Sequence, residues 1–193
     1  MLRCCLVLFS CLVLTAPAAN AATIIYSPPN AAQKTAFVKL DGELKAGDAQ
    51  LLEQNLRDAE KSGKQLAVVL SSSGGDIKEA MRMGKAIRKF HADTYHEYCA
   101  ANCVLAFLGG ERRFLMGDPS TALLVSRPDF ADAFMTTPSP ELKKQLDELR
   151  AYILELTGDV RFYTNMMAIP FSTPHTLLPE EALATKTVTM VLH

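Results

Sequence analysis

Apolar and polar positions along the chain switch repeatedly between a period of two and a helical period. Thr35–Leu40 alternates and predicts a strand, ended by Asp41-Gly42. Gly47-Asp48 then opens a helix whose Leu51, Leu52, Leu56 and Ala59 share one face, and Ser62-Gly63 stops it. Gln65–Leu70 is a β-branched apolar run and predicts a buried strand. Ile77, Ala80, Met81, Gly84, Ile87 and Phe90 recur at helical spacing from about Asp76 to Phe90. Asp93–Tyr98 predicts a short strand, and Cys99–Leu108 a helix of small and apolar residues closed by Gly109-Gly110. Arg112–Leu115 and Ala122–Ser126 predict two more strands around a Gly117-Asp118-Pro119 turn. A proline-bearing loop or flap over 128–140 precedes helices at 141–156 and 159–168. A loop at 170–179, a short helix at 180–184 and a closing strand at 187–192 complete the chain. Strand and helix in alternation predict a single α/β domain built from crossover units.

The first residues have a different pattern. Arg3 and the amino terminus give a short positive region, and an apolar run of eleven residues follows from Cys4 to Leu14. A bilayer core needs about 20 residues, so the run is too short to span one. Pro17 breaks it, and Ala19-Asn20-Ala21 supplies the small residues a leader peptidase requires. Residues 1–21 therefore read as a cleavable signal peptide, and the mature chain is expected to begin near Ala22, exported to a periplasm or beyond. Residues 22–34, small, polar and punctuated by Pro28-Pro29, read as an N-terminal arm, with the domain spanning 35–193.

Removing 1–21 leaves 172 of the 193 residues, enough for one domain with a sizeable core. The leader carries one basic and no acidic residue, so the formal charge moves from −1 to −2. Such a balance gives no basic face for nucleic acid. After leader removal no segment is apolar enough for a membrane, and no motif calls for a cofactor. Three of the five cysteines leave with the leader, and Cys99 and Cys103 remain.

Chemistry concentrates in three stretches. Ser71-Ser72-Ser73-Gly74-Gly75 lies between a strand and a helix, where backbone amides at Gly74 and Gly75 can hold an oxyanion or an extended peptide. A tight strand-to-helix turn explains the same glycines. Small residues crowd Cys99-Ala100-Ala101-Asn102-Cys103. Ser126-Arg127-Pro128 sits where a strand enters a loop, the usual place for sites on an α/β sheet.

In this order and at these distances, the three stretches resemble the Clp protease proteolytic-subunit and crotonase superfamily, and within it the exported Clp-like bacterial branch. That branch typically reads Asn-Ser-Pro-Gly-Gly, then Cys-Ala-Ser-Ala-Cys, then a strand ending in His-Arg/Gln-Pro. The resemblance runs from about Ala36 to Leu192 and implies a ClpP/crotonase-like fold around a twisted, mostly parallel sheet. It also implies where a serine-peptidase site should be, and there the sequence departs. The nucleophile's position is Ala101 and the general base's position is Ser126. Residues 168–178, where the orienting acid is expected, hold no Asp or Glu. A serine hydrolase needs all three groups. The resemblance thus implies a degenerate member, a pseudo-peptidase that binds an extended peptide instead of cutting it.

Two other readings stay open. Hydrolysis relocated to Ser71, Ser72 or Ser73 needs a base, and His175 in the 170–179 loop is a candidate to fold over the cleft. Asn102, a second cleft candidate, also reads as a helix N-cap. A structural envelope protein is the other alternative. Leu142, Leu146, Leu149, Ile153 and Leu156 form a short 4-3-4-3 seam, which over so short a run reads first as a helix packed on its own domain; because the family's helix at this place contributes to subunit contacts, a homo-oligomer through 141–156 is the alternative. After export, a Cys99–Cys103 disulfide is the first expectation for that pair, and the family branch has cysteines at both places. His91, His96, Cys99 and Cys103 are four zinc-type ligands within thirteen residues, but a helix end and a strand separate them, and no metal is expected.

Overall fold

A computed structural model of the chain describes residues 21–117, 121–130 and 139–192. The expected leader up to residue 20, the Asp118-Pro119 part of the expected turn and the 131–138 part of the expected flap lie outside the described residues.

The elements run β1 (Thr23–Ser27), β2 (Thr35–Asp41), α1 (Asp48–Glu60), β3 (Gln65–Ser72), α2 (Ile77–Lys89), β4 (Asp93–Ala100), α3 (Cys103–Phe107), β5 (Phe114–Met116), β6 (Ala122–Val125), α4 (Pro140–Thr157), α5 (Arg161–Ala168), β7 (His175–Thr176), α6 (Pro179–Ala184) and β8 (Met190–Leu192). The main sheet has the order β1-β2-β3-β4-β6-β7, and β5 pairs with β8 in a small second sheet. Neighbours from β2 through β3 and β4 to β6 are parallel, and β1 and β7 close the edges antiparallel. This is the mixed α/β domain with a mostly parallel sheet that the alternation predicts.

The period-two pattern of β2 decides which face is covered. Ala36, Val38 and Leu40 are buried, and Phe37, Lys39 and Asp41 point to solvent. Leu52, Leu56 and Ala59 of α1 and Ala80, Met83 and Ile87 of α2 join the same core. Each fully buried leucine contributes about 2 kcal/mol. Helix ends are satisfied across elements. Glu79 of α2 accepts from Gly47 N at 2.9 Å and Ala49 N at 2.8 Å, so one helix caps the start of another. Asp76 caps α2 by accepting from Glu79 N at 2.8 Å.

Two expectations need correction. The arm at 22–34 begins with a strand, because Ile24 is buried and Thr23–Ser27 pairs residue by residue with β2. The sheet therefore includes residues before 35. The closing strand is shorter, Met190–Leu192. The leucine seam of α4 takes the first of its two readings, a helix packed on its own domain. Leu146, Leu149, Ile153 and Leu156 are buried within their own domain, and Tyr152 Oη donates to Leu105 O at 2.6 Å, tying α4 to α3. Leu154, outside the seam, is the exposed apolar residue of this helix.

Candidate peptide groove

The site is built where β3 and β4 end. Past Ser72 the chain turns through Gly74 and Gly75, both at positive φ (108° and 132°). The reason lies in the chain itself. Leu44 N donates to Gly74 O at 2.8 Å, and Asp76 N donates to Leu44 O at 2.9 Å. A Cβ on Gly75 would run into the Leu44 backbone. Gly74 N–H is already donated to Ser72 Oγ at 3.1 Å. Of the two glycines expected to serve a ligand, Gly74 has its N–H engaged within its own turn, and Gly75 lines the groove.

The second stretch differs from the helix expected at 99–108. Parallel pairing of Tyr98, Cys99 and Ala100 with Ala122, Leu123 and Leu124 holds these residues in β4, and α3 begins at Cys103. Between them Ala101 takes a left-handed turn at φ 48°, its N–H donating to Leu124 O at 3.0 Å. An alanine at positive φ is uncommon. The Cys99–Cys103 disulfide spans this turn, with Cα atoms 5.4 Å apart. It joins a strand end to a helix start, not two positions on one helical face. Asn102 does not cap α3 with its side chain. Instead its Nδ2 donates to Gly75 O at 2.7 Å and clamps the glycine turn to the Ala101 turn.

Ser73, Gly75, Ala101 and Asn102 thus face one cavity of about 310 Å³, with Glu43, Asp129 and Phe171 completing it. That volume is at the small end for ligand sites. Among the described residues, two carboxylates and no cationic side chain line it. Glu43, Asp129 and Phe171 carry no local motif, and long-range topology alone brings them here.

Ser126 lies just beyond β6, two residues past the Leu124 carbonyl that holds Ala101. It is buried, and its Oγ has no hydrogen-bond partner among the described residues. A buried unpaired hydroxyl costs about 1–3 kcal/mol. Ser126→Ala is therefore expected to leave the fold intact and raise stability by about 1 kcal/mol in urea denaturation; a loss of stability would show that the hydroxyl has a partner.

His175 does not fold over this groove. Paired opposite Val125 in β7, it puts Nε2 2.8 Å from Glu181 Oε2. That hydrogen bond and the Leu178 N–H hold the Glu181 carboxyl below its ordinary range. The pair lines a different cavity, about 330 Å³, with Phe162, Met166, Ile169 and Leu177. His91 is exposed beside Glu111, and His96 is buried against Phe107. Among the described residues, then, no histidine lines the groove. The zinc-type set does not converge either, since both cysteines are spent in the disulfide, and the described residues hold no group of three His, Cys, Asp or Glu placed for a metal ion.

The fold is similar to that of solved ClpP1 structures. ClpP1 from Listeria monocytogenes superposes with a TM-score of 0.64 at 18% identity, covering 81% of this chain and 91% of that one. A point mutant of the same protein gives 0.61 at 18% identity over the same shares. No family model matches the chain, and no curated protein matches it in sequence.

Proposed function

We propose that this chain is an exported ClpP-like pseudo-peptidase that holds an extended peptide in the Ala101 groove without cutting it. The observation that carries the reading is Ala101 itself. It occupies a left-handed turn between a strand and a helix, faces the groove, and has a methyl group where the resembling family has its nucleophile. Hydrolysis needs a nucleophile and a base that activates it. Ser126, in the base's place, is buried and has no imidazole. The Ala19-Asn20-Ala21 leader ending supports export. A homo-oligomer in this reading uses surfaces other than the α4 seam, such as the sheet face that exposes Ile25 and Phe37.

A second reading has one observation in its favour. Ser73 is exposed in the groove, which the Glu43 and Asp129 carboxylates also line. A fluorophosphonate probe separates the two. The folded mature protein is expected to label no more than its denatured control. Labelling that disappears in Ser73→Ala would replace the pseudo-peptidase with a hydrolase relocated to Ser73.

A further inference from the structure

The start of the described chain has an unusual electrostatic arrangement. Ala21 is exposed, and Ala22, the next residue, is only 6% exposed. Ala22 N lies 3.4 Å from Oδ2 of Asp48, a carboxylate that is itself 4% exposed. The same oxygen accepts from Lys45 N at 2.7 Å. Among the described residues no Lys, Arg or His forms an ion pair with Asp48. A carboxylate buried without a cation is costly, and the helix dipole at the start of α1 offsets part of that cost. An amide donor at 3.4 Å is a long hydrogen bond and adds little.

We propose that leader removal between Ala21 and Ala22 supplies the missing cation: the new α-ammonium group of Ala22 forms a buried ion pair with Asp48 and locks β1 onto α1. The inference rests on the export reading above. A leader peptidase adds one water across the Ala21–Ala22 amide. The C–N bond breaks, Ala21 keeps a carboxylate, and the Ala22 nitrogen takes up protons to become an ammonium. One buried N–H donor becomes three N⁺–H donors at the same place, and charge-assisted hydrogen bonds are about twice as strong as neutral ones. Cleavage one residue to either side would not put the charge there. The fit is close, because a Cβ on Gly42 would sit 3.3 Å from Ala22 Cα. Other charged groups at this end of the surrounding elements include Asp41, Glu43, Lys45 and Glu79. Glu79 is engaged by Gly47 N, Ala49 N and Arg82, and Glu43 is paired with Lys45 at 3.6 Å. Asp41 points to solvent at the end of β2.

The test uses the full chain, exported and processed by a bacterial host. Intact mass first locates the N-terminus, expected at Ala22. The α-amine is then titrated by NMR in protein labelled with ¹⁵N-alanine. An ion pair raises its pKa above the ordinary value of about 8, and burial without a partner lowers it. A rise of about one unit, a tenfold drop in free amine at neutral pH, is expected in the wild type. Asp48→Asn should reverse it. An N-terminus elsewhere overturns the inference together with the assigned leader boundary. An N-terminus at Ala22 whose amine titrates at or below the ordinary value overturns the ion pair alone. The wild-type titration decides this even if Asp48→Asn does not fold.

Discussion

Arg113→Met is expected to destabilise the fold by about 3–5 kcal/mol, the usual cost of removing one side of a buried charged arrangement. Arg113 is 4% exposed and has no carboxylate partner among the described residues. Its guanidinium donates to three backbone carbonyls instead: Nε to Thr187 O at 3.0 Å, one terminal nitrogen to Gly110 O at 2.8 Å, and the other to Lys186 O at 2.8 Å. Burial first, and the nearby Arg88 charge second, pull its pKa down to about 10. Arg88 converges on the same place, donating to Gly109 O, Leu108 O, Gly110 O and Leu156 O. Gly110 O therefore accepts from both arginines. Carbonyls at a helix C-terminus favour cations, and here they take the place of counter-ions. Methionine fills the volume but takes the Arg113 donor from Thr187 O and Lys186 O and leaves Gly110 O with Arg88 alone. The measurement is urea denaturation of the mature protein, with Lys61→Met as a surface control of negligible effect. A loss below 1 kcal/mol would show that the carbonyls find other donors.

Acid should destabilise the protein through His96, by about 3 kcal/mol between pH 6.5 and 4. His96 is buried, and its Nε2 accepts from Met116 N at 3.4 Å. That donor assigns the proton to Nδ1, which has no partner among the described residues. The ring stands edge-on to Phe107 at 5.7 Å. Desolvation lowers its pKa to about 4. The sign follows from proton counts. Between pH 6.5 and 4 the unfolded chain binds a proton at this imidazole and the native chain does not, so stability falls as pH falls through that window. His96→Leu removes the titration. The stability difference between wild type and variant should shift in the variant's favour by about 3 kcal/mol as pH falls from 7 to 4. A difference independent of pH would mean that His96 is solvated.

Elements with a strong period were legible before any coordinates. β2, α2 and α4 follow their alternation or helical stripes closely, because one face of each is buried and selects the pattern, and β3, with consecutive Leu66, Ala67 and Val68 buried, follows its continuous apolar run. The stretch at 99–108 misled. Small apolar residues suit a helix, but three parallel rungs to β6 keep Tyr98–Ala100 extended. β1 was hidden by the polar, proline-marked stretch that follows it, and its five residues carry a single buried isoleucine. The motif residues Gly75, Ala101 and Asn102 were legible as a set, and the structure joins them through the Asn102–Gly75 bond. His175 read as a cleft residue because it lies in the expected 170–179 loop. Its pairing with Val125 carries it to another cavity. Glu43, Asp129 and Phe171 come from three separate segments, and no local pattern announces them.

The groove is where the account is most exposed to test. The proposal of binding without cleavage rests on its Ala101 methyl, on the lack of a histidine among the described lining residues and on the clamp from Asn102 to Gly75. The decisive measurement incubates the mature protein with a defined pool of unstructured peptides, then analyses bound and free fractions by mass spectrometry. The account predicts that the wild type retains peptides at unchanged mass and that Ser73→Trp, which fills the groove, retains none. Accumulating fragments in the free fraction, or a wild type that retains no peptide, would contradict it.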